Sequence, residues 1–152
     1  MNYWLMKSEP DVFSIQDLKK KKRTGWDGVR NYQARNYMRD QMKVGDLVLF
    51  YHSNAEPPGI AGVAKVAAVG LPDPLQFDKK SEYYDPKSKP DAPTWIMVEV
   101  EFVEEFPLIP LDQIKKEPAL AAMPLVQKGT RLSVMPVAKT EWDHLQKLKG
   151  RP

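Results

Sequence analysis

The chain has 152 residues, of which 42% are hydrophobic, with a formal net charge of +3 and no cysteine. This length predicts a single domain over residues 1–152, and the apolar share argues against disorder. The lack of cysteine excludes disulfides, thiol nucleophiles and thiolate metal sites. No run approaches the roughly 18 apolar residues of a membrane span, and no signal peptide is evident, so we expect a cytoplasmic protein with no membrane partner.

The first third of the chain predicts one strand and two helices. Residues 2–6 form an apolar run typical of a strand. Ser14 and Asp17 have capping-box spacing and predict a helix that runs through the basic residues 19–23 to about Gly25. A second helix is predicted over 32–42, capped by Asn31, because its apolar residues recur at helical spacing.

The rest of the chain predicts mainly strands. Residues 47–52 are apolar on both faces, 59–69 are rich in Gly and Ala, and 96–102 alternate apolar with acidic residues. A further strand is expected over 131–137. A final helix is expected to begin at Thr140, with Asp143 at its cap, and to end at Gly150. This order favours an α+β fold: a small mixed, partly closed β-barrel of about five to six strands with peripheral helices.

The segment between the strands at 59–69 and 96–102 is rich in proline and irregular. Residues 71–93 contain or adjoin Phe77, Tyr83, Tyr84 and Trp95. We predict an ordered loop that is packed by its own aromatic side chains.

Catalytic machinery is hard to assemble from these residues. His52 and His144 are the only histidines, which argues against a zinc site, and no G-x-S-x-G, P-loop or G-x-G-x-x-G motif is present. The adjacent Glu104 and Glu105 end a strand, where neighbouring carboxylates usually point to opposite sides into water. We therefore predict no catalytic residue, no metal and no cofactor.

Residues 25–39 combine an aromatic residue in a loop with a series of basic residues. Trp26 could be a core plug, or it could be a surface on which a planar ligand stacks. Arg35, Arg39 and Lys43 recur every four residues. They could be a solvated helix face or could neutralise successive phosphates, beside a helix N-terminus left available at Asn31.

Three predicted strand ends carry polar side chains. Residues 51–54 (YHSN) could be a simple turn or the floor of a polar pocket, and residues 7–8 and 131–133 have the same character. Together with Trp26 they predict a pocket with an aromatic wall and a hydrogen-bonding floor. Such a pocket is what reading a flipped or unpaired base requires.

Several blocks resemble one known family in order and spacing. These are YWLMKSEP, WDGVRNYQARNYMR, GDLVLFYHSN, PGIAGVAKV, YYDPKS and RLSVMPV. Over residues 3 to about 137 the chain resembles the EVE domain family, which includes bacterial single-domain proteins and the animal thymocyte nuclear proteins, and it is most similar to the compact bacterial form. The resemblance implies a PUA-like fold and binding of modified bases, with 5-methylcytosine or 5-hydroxymethylcytosine in DNA favoured over RNA modifications.

The resemblance also implies which residues bind the ligand. The pocket residues it indicates are Lys7, Ser8, Trp26, Val29, Arg30, Asn31, Tyr32, Tyr51, His52, Ser53, Asn54 and Arg131. Flanking phosphates are assigned to Arg35, Arg39 and Lys43. We expect a monomeric, non-catalytic binding module. The alternatives are a base- or nucleotide-modifying enzyme and a protein-interaction module that uses residues 71–95.

Overall fold

The computed structural model describes residues 1–128 and 132–149 and has an α+β architecture. Six strands form one mixed sheet: β1 (Tyr3–Ser8), β2 (Arg23–Gly25), β3 (Leu47–His52), β4 (Gly59–Pro72), β5 (Ile96–Pro110) and β6 (Val134–Val137). Four α-helices accompany it within the described residues: α1 (Ile15–Lys21), α2 (Tyr32–Asn36), α3 (Leu111–Lys115) and α4 (Lys139–Leu148). The predicted fold class and strand number are confirmed.

The sheet has the order β2-β5-β4-β3-β1-β6, and only β1 and β3 run parallel. In the described part of the chain, β2 and β6 are its two ends, so hydrogen bonds do not close the barrel. The long β4–β5 pair contains four register shifts, which bend and twist the sheet. At Gly62 a Cβ would collide with the backbone carbonyl of Glu104, so the close approach expected of this Gly-rich strand is between two backbones.

The central strands are buried on both faces. Trp4, Met6 and Phe50 point into one hydrophobic cluster, while Leu5 and Leu49 point into a second one on the other side of the sheet. This arrangement confirms the two-sided burial predicted for 47–52, and the parallel pairing of β1 with β3 places the ends of the two strands side by side.

The predicted N-terminal caps of the first two helices are confirmed. Ser14 Oγ accepts from the Asp17 N–H (3.1 Å) while the Asp17 carboxylate accepts from the Ser14 N–H (2.9 Å). Asn31 Oδ1 accepts from the Ala34 N–H at 2.9 Å. The helical segment that starts at Tyr32 continues as a π-helical turn over Tyr37–Gln41.

The end predicted for the first helix is wrong. α1 stops at Lys21 because Lys22 adopts a left-handed conformation (φ 73°), and the next three residues pair with β5 as β2. A three-residue strand is too short to show an alternating pattern, so the sequence did not distinguish it from the end of the basic helix.

The cap predicted for the last helix is also wrong. α4 begins at Lys139, and Glu141 Oε1 accepts from the Ala138 N–H at 2.9 Å. Asp143 instead pairs with the Lys139 ammonium at 2.8 Å. The strand predicted over 131–137 is Val134–Val137; Arg131 and Gly150 lie outside the described residues.

The proline-rich loop is ordered, as predicted. It contains a 3-10 helix (Pro74–Phe77) and is built around Gln76, whose fully buried amide donates to the carbonyls of Asp73 (2.7 Å) and Trp95 (2.8 Å). The Trp95 indole donates to the Asp85 carboxylate at 2.9 Å. No helix within residues 1–128 and 132–149 has the length and apolar character needed to cross a membrane.

Candidate functional site

A solvent-open pocket of about 570 Å³ lies where β1 and β3 end. Its floor comes from strand ends, one wall from residues 26–30, and the remaining walls from the loop that precedes α1 and from the proline-rich loop. We call this cavity the Trp26 pocket. Its lining includes Lys7, Ser8, Glu9, Val12, Phe13, Lys21, Trp26, Asp27, Val29, Arg30, Ser53, Tyr83 and Ser133.

The floor is assembled by strand pairing. β1 and β3 are parallel, with Lys7 opposite Tyr51, so their carboxyl ends meet at one edge. The Lys7 N–H donates to the Ser133 carbonyl (2.8 Å), and the Ser53 N–H donates to the Ser8 carbonyl (3.0 Å). The structure therefore brings together polar residues from all three strand ends that the sequence singled out.

Trp26 belongs both to the core and to the pocket. Its ring contacts Phe50 edge-on, with centroids 5.4 Å apart, and only 8% of the residue is exposed. The backbone N–H of Trp26 donates to the Val98 carbonyl at 2.8 Å, and this hydrogen bond fixes the start of the loop. The packing agrees with the interpretation of Trp26 as a core residue, and the residue also contributes to the lining of the cavity. Its stacking role stays a prediction.

The loop that carries Trp26 is held by a buried carboxylate. Asp73, whose side chain is only 2% exposed, accepts from the Gly28 N–H (2.8 Å), Arg30 Nη1 (2.9 Å) and the Leu75 N–H (2.8 Å). Arg30 also donates to the Tyr83 carbonyl through Nε (3.1 Å) and Nη2 (3.0 Å). Most of the guanidinium donors of Arg30 are therefore used to join the two walls of the pocket.

Two charged groups in the Trp26 pocket have shifted pKa values. Burial lowers the pKa of the Lys7 ammonium, and within residues 1–128 and 132–149 this group has no carboxylate in ion-pair contact. Burial by the pocket walls raises the pKa of Asp27, and repulsion from the Asp73 carboxylate adds to the shift. The pocket thus offers an ammonium that can donate to an acceptor atom of a ligand and a carboxylate that can accept from a donor group.

Three predicted ligand residues from the end of β3 are used by the fold. Tyr51 is buried in the second hydrophobic cluster, and burial raises its pKa to about 12. His52 Nε2 accepts from the Ile15 N–H (3.1 Å), and Asn54 Nδ2 donates to Glu9 Oε1 (2.7 Å). None of the three is among the residues lining the pocket.

Asn31 and Tyr32 also lie outside the lining. Asn31 caps α2, and Tyr32 is 60% exposed with its ring stacked on Trp95 at 4.9 Å. Arg131 lies outside the described residues.

The basic stripe predicted on the second helix is only partly available. Arg35 packs over the Tyr32 ring (4.9 Å) and donates to the Thr94 carbonyl (2.9 Å). Arg39 is exposed and forms a two-pronged pair with Asp40, and Lys43 is exposed after the π-helical turn. Their phosphate-binding role stays a prediction.

Sequence reasoning missed Asp27, Asp73 and Tyr83. Asp27 and Tyr83 lie within blocks of the family resemblance but were not singled out. Asp73 is 45 residues from the Gly28 N–H it accepts, so no local pattern connects them. The clustering of aromatic residues in the proline-rich loop was the available signal, and it was assigned to the protein-interaction alternative.

A mixed sheet with a polar pocket at the end of its parallel strands defines a PUA-like binding module. The EVE domain model matches residues 2–148, so the chain belongs to the EVE domain family. Human thymocyte nuclear protein 1 is 44% identical across 99% of this chain and 75% of its own length.

Solved structures agree with this assignment. The human THYN1 protein in complex with 5-methylcytosine-containing DNA is 43% identical, with a TM-score of 0.92 over 100% of this chain and 99% of that one. A Pseudomonas putida protein is 48% identical, with a TM-score of 0.93 over 96% of this chain and 98% of that one.

Proposed function

We propose that this chain binds DNA by holding a 5-modified cytosine, flipped out of the duplex, in the Trp26 pocket. The observation that carries the proposal is the cavity itself, whose volume of about 570 Å³ lies in the usual range of ligand sites. It combines Trp26 with polar strand ends and opens to solvent. The 5-methylcytosine DNA complex of the human relative supports this choice of ligand.

The residues divide into three roles in this proposal. Trp26, Phe13 and Tyr83 provide aromatic surface for the base, while Lys7 and Ser53 donate hydrogen bonds to its edge. Arg30 is a positioning residue, since it joins residues 26–30 to the proline-rich loop. Stacking worth about 1–3 kcal/mol and two hydrogen bonds can offset the few kcal/mol that flipping costs.

We also propose that the chain acts as one monomeric, non-catalytic domain over residues 1–152, in the cytoplasm and without a metal or cofactor. The pocket side chains with available polar groups are an ammonium, a carboxylate and hydroxyls, and no activated nucleophile is among the described residues that line it. Phosphate contacts remain assigned to Arg35, Arg39 and Lys43, of which Arg39 and Lys43 are exposed.

The test is a titration of two labelled duplexes that differ only in one 5-methyl group on cytosine. The protein should bind the methylated duplex about fourfold more tightly, because a buried methyl group contributes about 0.8 kcal/mol. Lys7→Met keeps the buried stem and removes the charge, so affinity for the methylated duplex should fall about tenfold. Fluorescence anisotropy at fixed salt measures both effects.

Lys115→Met is the matched control, since Lys115 is exposed on α3 and lies outside the pocket lining. It should change affinity less than twofold. Equal affinity of the unaltered protein for both duplexes would refute the proposed function. Mass analysis of the recovered oligonucleotide should show no change, and a new product would favour the enzyme alternative.

A further inference from the structure

Asp27 stands apart from the other acidic residues of the site. It lines the Trp26 pocket with Glu9, and Glu9 Oε1 already accepts a hydrogen bond from Asn54 Nδ2 at 2.7 Å. Among the described residues, no side chain donates to the Asp27 carboxylate. The Asp27 carboxylate accepts from its own backbone N–H, and its remaining acceptor positions are used by no side chain of the described residues.

The backbone holds Asp27 in place from both sides. On one side, the backbone N–H of Trp26 donates to the Val98 carbonyl at 2.8 Å. On the other side, the backbone N–H of Gly28 donates to the Asp73 carboxylate at 2.8 Å. A side chain on a segment fixed in this way needs little ordering when a ligand arrives.

The local electrostatics disfavour an ionised carboxylate at this position. Burial raises the pKa of Asp27, and repulsion from the nearby Asp73 carboxylate adds to the shift. A hydrogen-bond donor supplied by a ligand would stabilise the ionised carboxylate and so offset this repulsion. The positive charges of Lys21 and Arg30 act in the opposite direction and lower the pKa of Asp27, but neither side chain donates a hydrogen bond to its carboxylate.

We propose that Asp27 makes the pocket selective for bases with an amino group, because its carboxylate accepts a hydrogen bond from the N4 amino group of a flipped cytosine. This inference rests on the proposed function. An ionised carboxylate only accepts hydrogen bonds, and cytosine N4 donates, whereas thymine presents the O4 acceptor at the same place. Lys7, which only donates, suits the acceptor atoms N3 and O2 on the rest of the cytosine edge.

The sharpest test compares 5-methylcytosine with thymine, each opposite guanine at the same position of one duplex. Both bases carry the 5-methyl group, and the mispaired thymine leaves the duplex more easily. A preference for 5-methylcytosine must therefore come from reading of the base edge. We expect about tenfold tighter binding of 5-methylcytosine by the unaltered protein, and a ratio near one for Asp27→Asn, whose amide can also donate to O4.

Asp112→Asn is the matched control. Asp112 is exposed on α3, outside the pocket lining, and its substitution makes the same change in net charge. This variant should keep the tenfold ratio. Circular dichroism before each titration verifies that the variants are folded.

A second measurement needs no variant. In 5-methyl-2-pyrimidinone a hydrogen replaces the amino group, so the unaltered protein should bind a duplex carrying this base about tenfold more weakly than 5-methylcytosine. If the protein prefers 5-methylcytosine to cytosine, but neither Asp27→Asn nor loss of the amino group changes affinity, then the role of Asp27 is overturned while the proposed function stands. Failure of the unaltered protein to distinguish 5-methylcytosine from cytosine would instead reject the proposed function.

Discussion

The imidazole of His52 accepts a hydrogen bond at the N-terminus of α1, although His52 is not part of that helix. Its Nε2 accepts from the N–H of Ile15, the first residue of α1, which has no partner inside the helix. Only the neutral ring can accept this bond. Burial lowers the pKa of His52, an effect that the Glu105 carboxylate partly opposes. The ring is therefore a structural acceptor whose contribution depends on pH.

His52 should make the protein less stable in acid. Its pKa is lowered on folding, so below the unfolded value of about 6.5 the unfolded state binds more protons. The stabilisation is fully present above about pH 6.5 and is lost as the pH falls towards the folded value. Urea unfolding of the protein and of His52→Ala should differ by about 1 kcal/mol at pH 8.

The difference in free energy of unfolding between the protein and His52→Ala should be smaller at pH 5 than at pH 8. Ser133→Ala serves as the control, because this small substitution leaves the imidazole in place. Within the described part of the chain, Ser133 makes no hydrogen bond to His52. A difference between the protein and His52→Ala that stays constant from pH 8 to pH 5 would contradict the assignment.

Individual site residues were predictable where the chain is locally regular. Lys7, Ser8 and Ser53 end strands that the hydrophobic pattern indicated, and the parallel pairing of β1 with β3 brings those ends together. Tyr51 and His52 belong to the same strand end, but their side chains pack against the second hydrophobic cluster and α1. Such partners are distant in sequence, so polarity alone could not separate pocket residues from structural ones.

At the scale of elements, the site depends on two irregular segments that support each other. Residues 26–30 and the proline-rich loop meet through Asp73, Arg30 and the Tyr83 ring. Strands and capped helices follow from periodicity and capping residues, whereas contact between two loops follows from neither. The sequence therefore indicated that each segment was unusual without showing that they form one pocket.

Gly28 tests this contact between the two segments. It has a positive φ of 77°, and an added Cβ would lie 3.1 Å from a carbon of the Tyr83 ring. Gly28→Ala should cost about 1 kcal/mol through backbone strain and should also displace Tyr83 from the pocket wall. We expect binding of the methylated duplex to weaken about tenfold, as measured by anisotropy alongside urea unfolding.

Gly70 is a matched control for the strain alone. Its φ is 72°, and an added Cβ would meet nothing within 4 Å. Gly70→Ala should lose similar stability and leave DNA affinity nearly unchanged. Equal losses of affinity in both variants would mean that binding reports stability and not the position of Tyr83.

At the scale of the whole molecule, a net charge of +3 gives little attraction to DNA unless the charge is concentrated near the pocket. Lys7, Lys21 and Arg30 line the Trp26 pocket, but Arg30 is held by Asp73 and Tyr83. We therefore propose that exposed residues such as Arg39 add contacts to flanking phosphates. The four-residue spacing predicted that candidate but could not reveal its pairing with Asp40.

Arg39 should contribute to affinity without contributing to base preference. Arg39→Ala should weaken the methylated and unmethylated duplexes equally and reduce the slope of log affinity against log salt by about 0.9, as expected for one lost phosphate contact. In the free protein its guanidinium binds Asp40 through Nε (2.7 Å) and Nη2 (2.9 Å). Asp40→Ala frees that group and should strengthen binding of both duplexes. A loss confined to the methylated duplex in Arg39→Ala would place Arg39 at the base and not at a phosphate, because a phosphate contact is blind to the 5-methyl group.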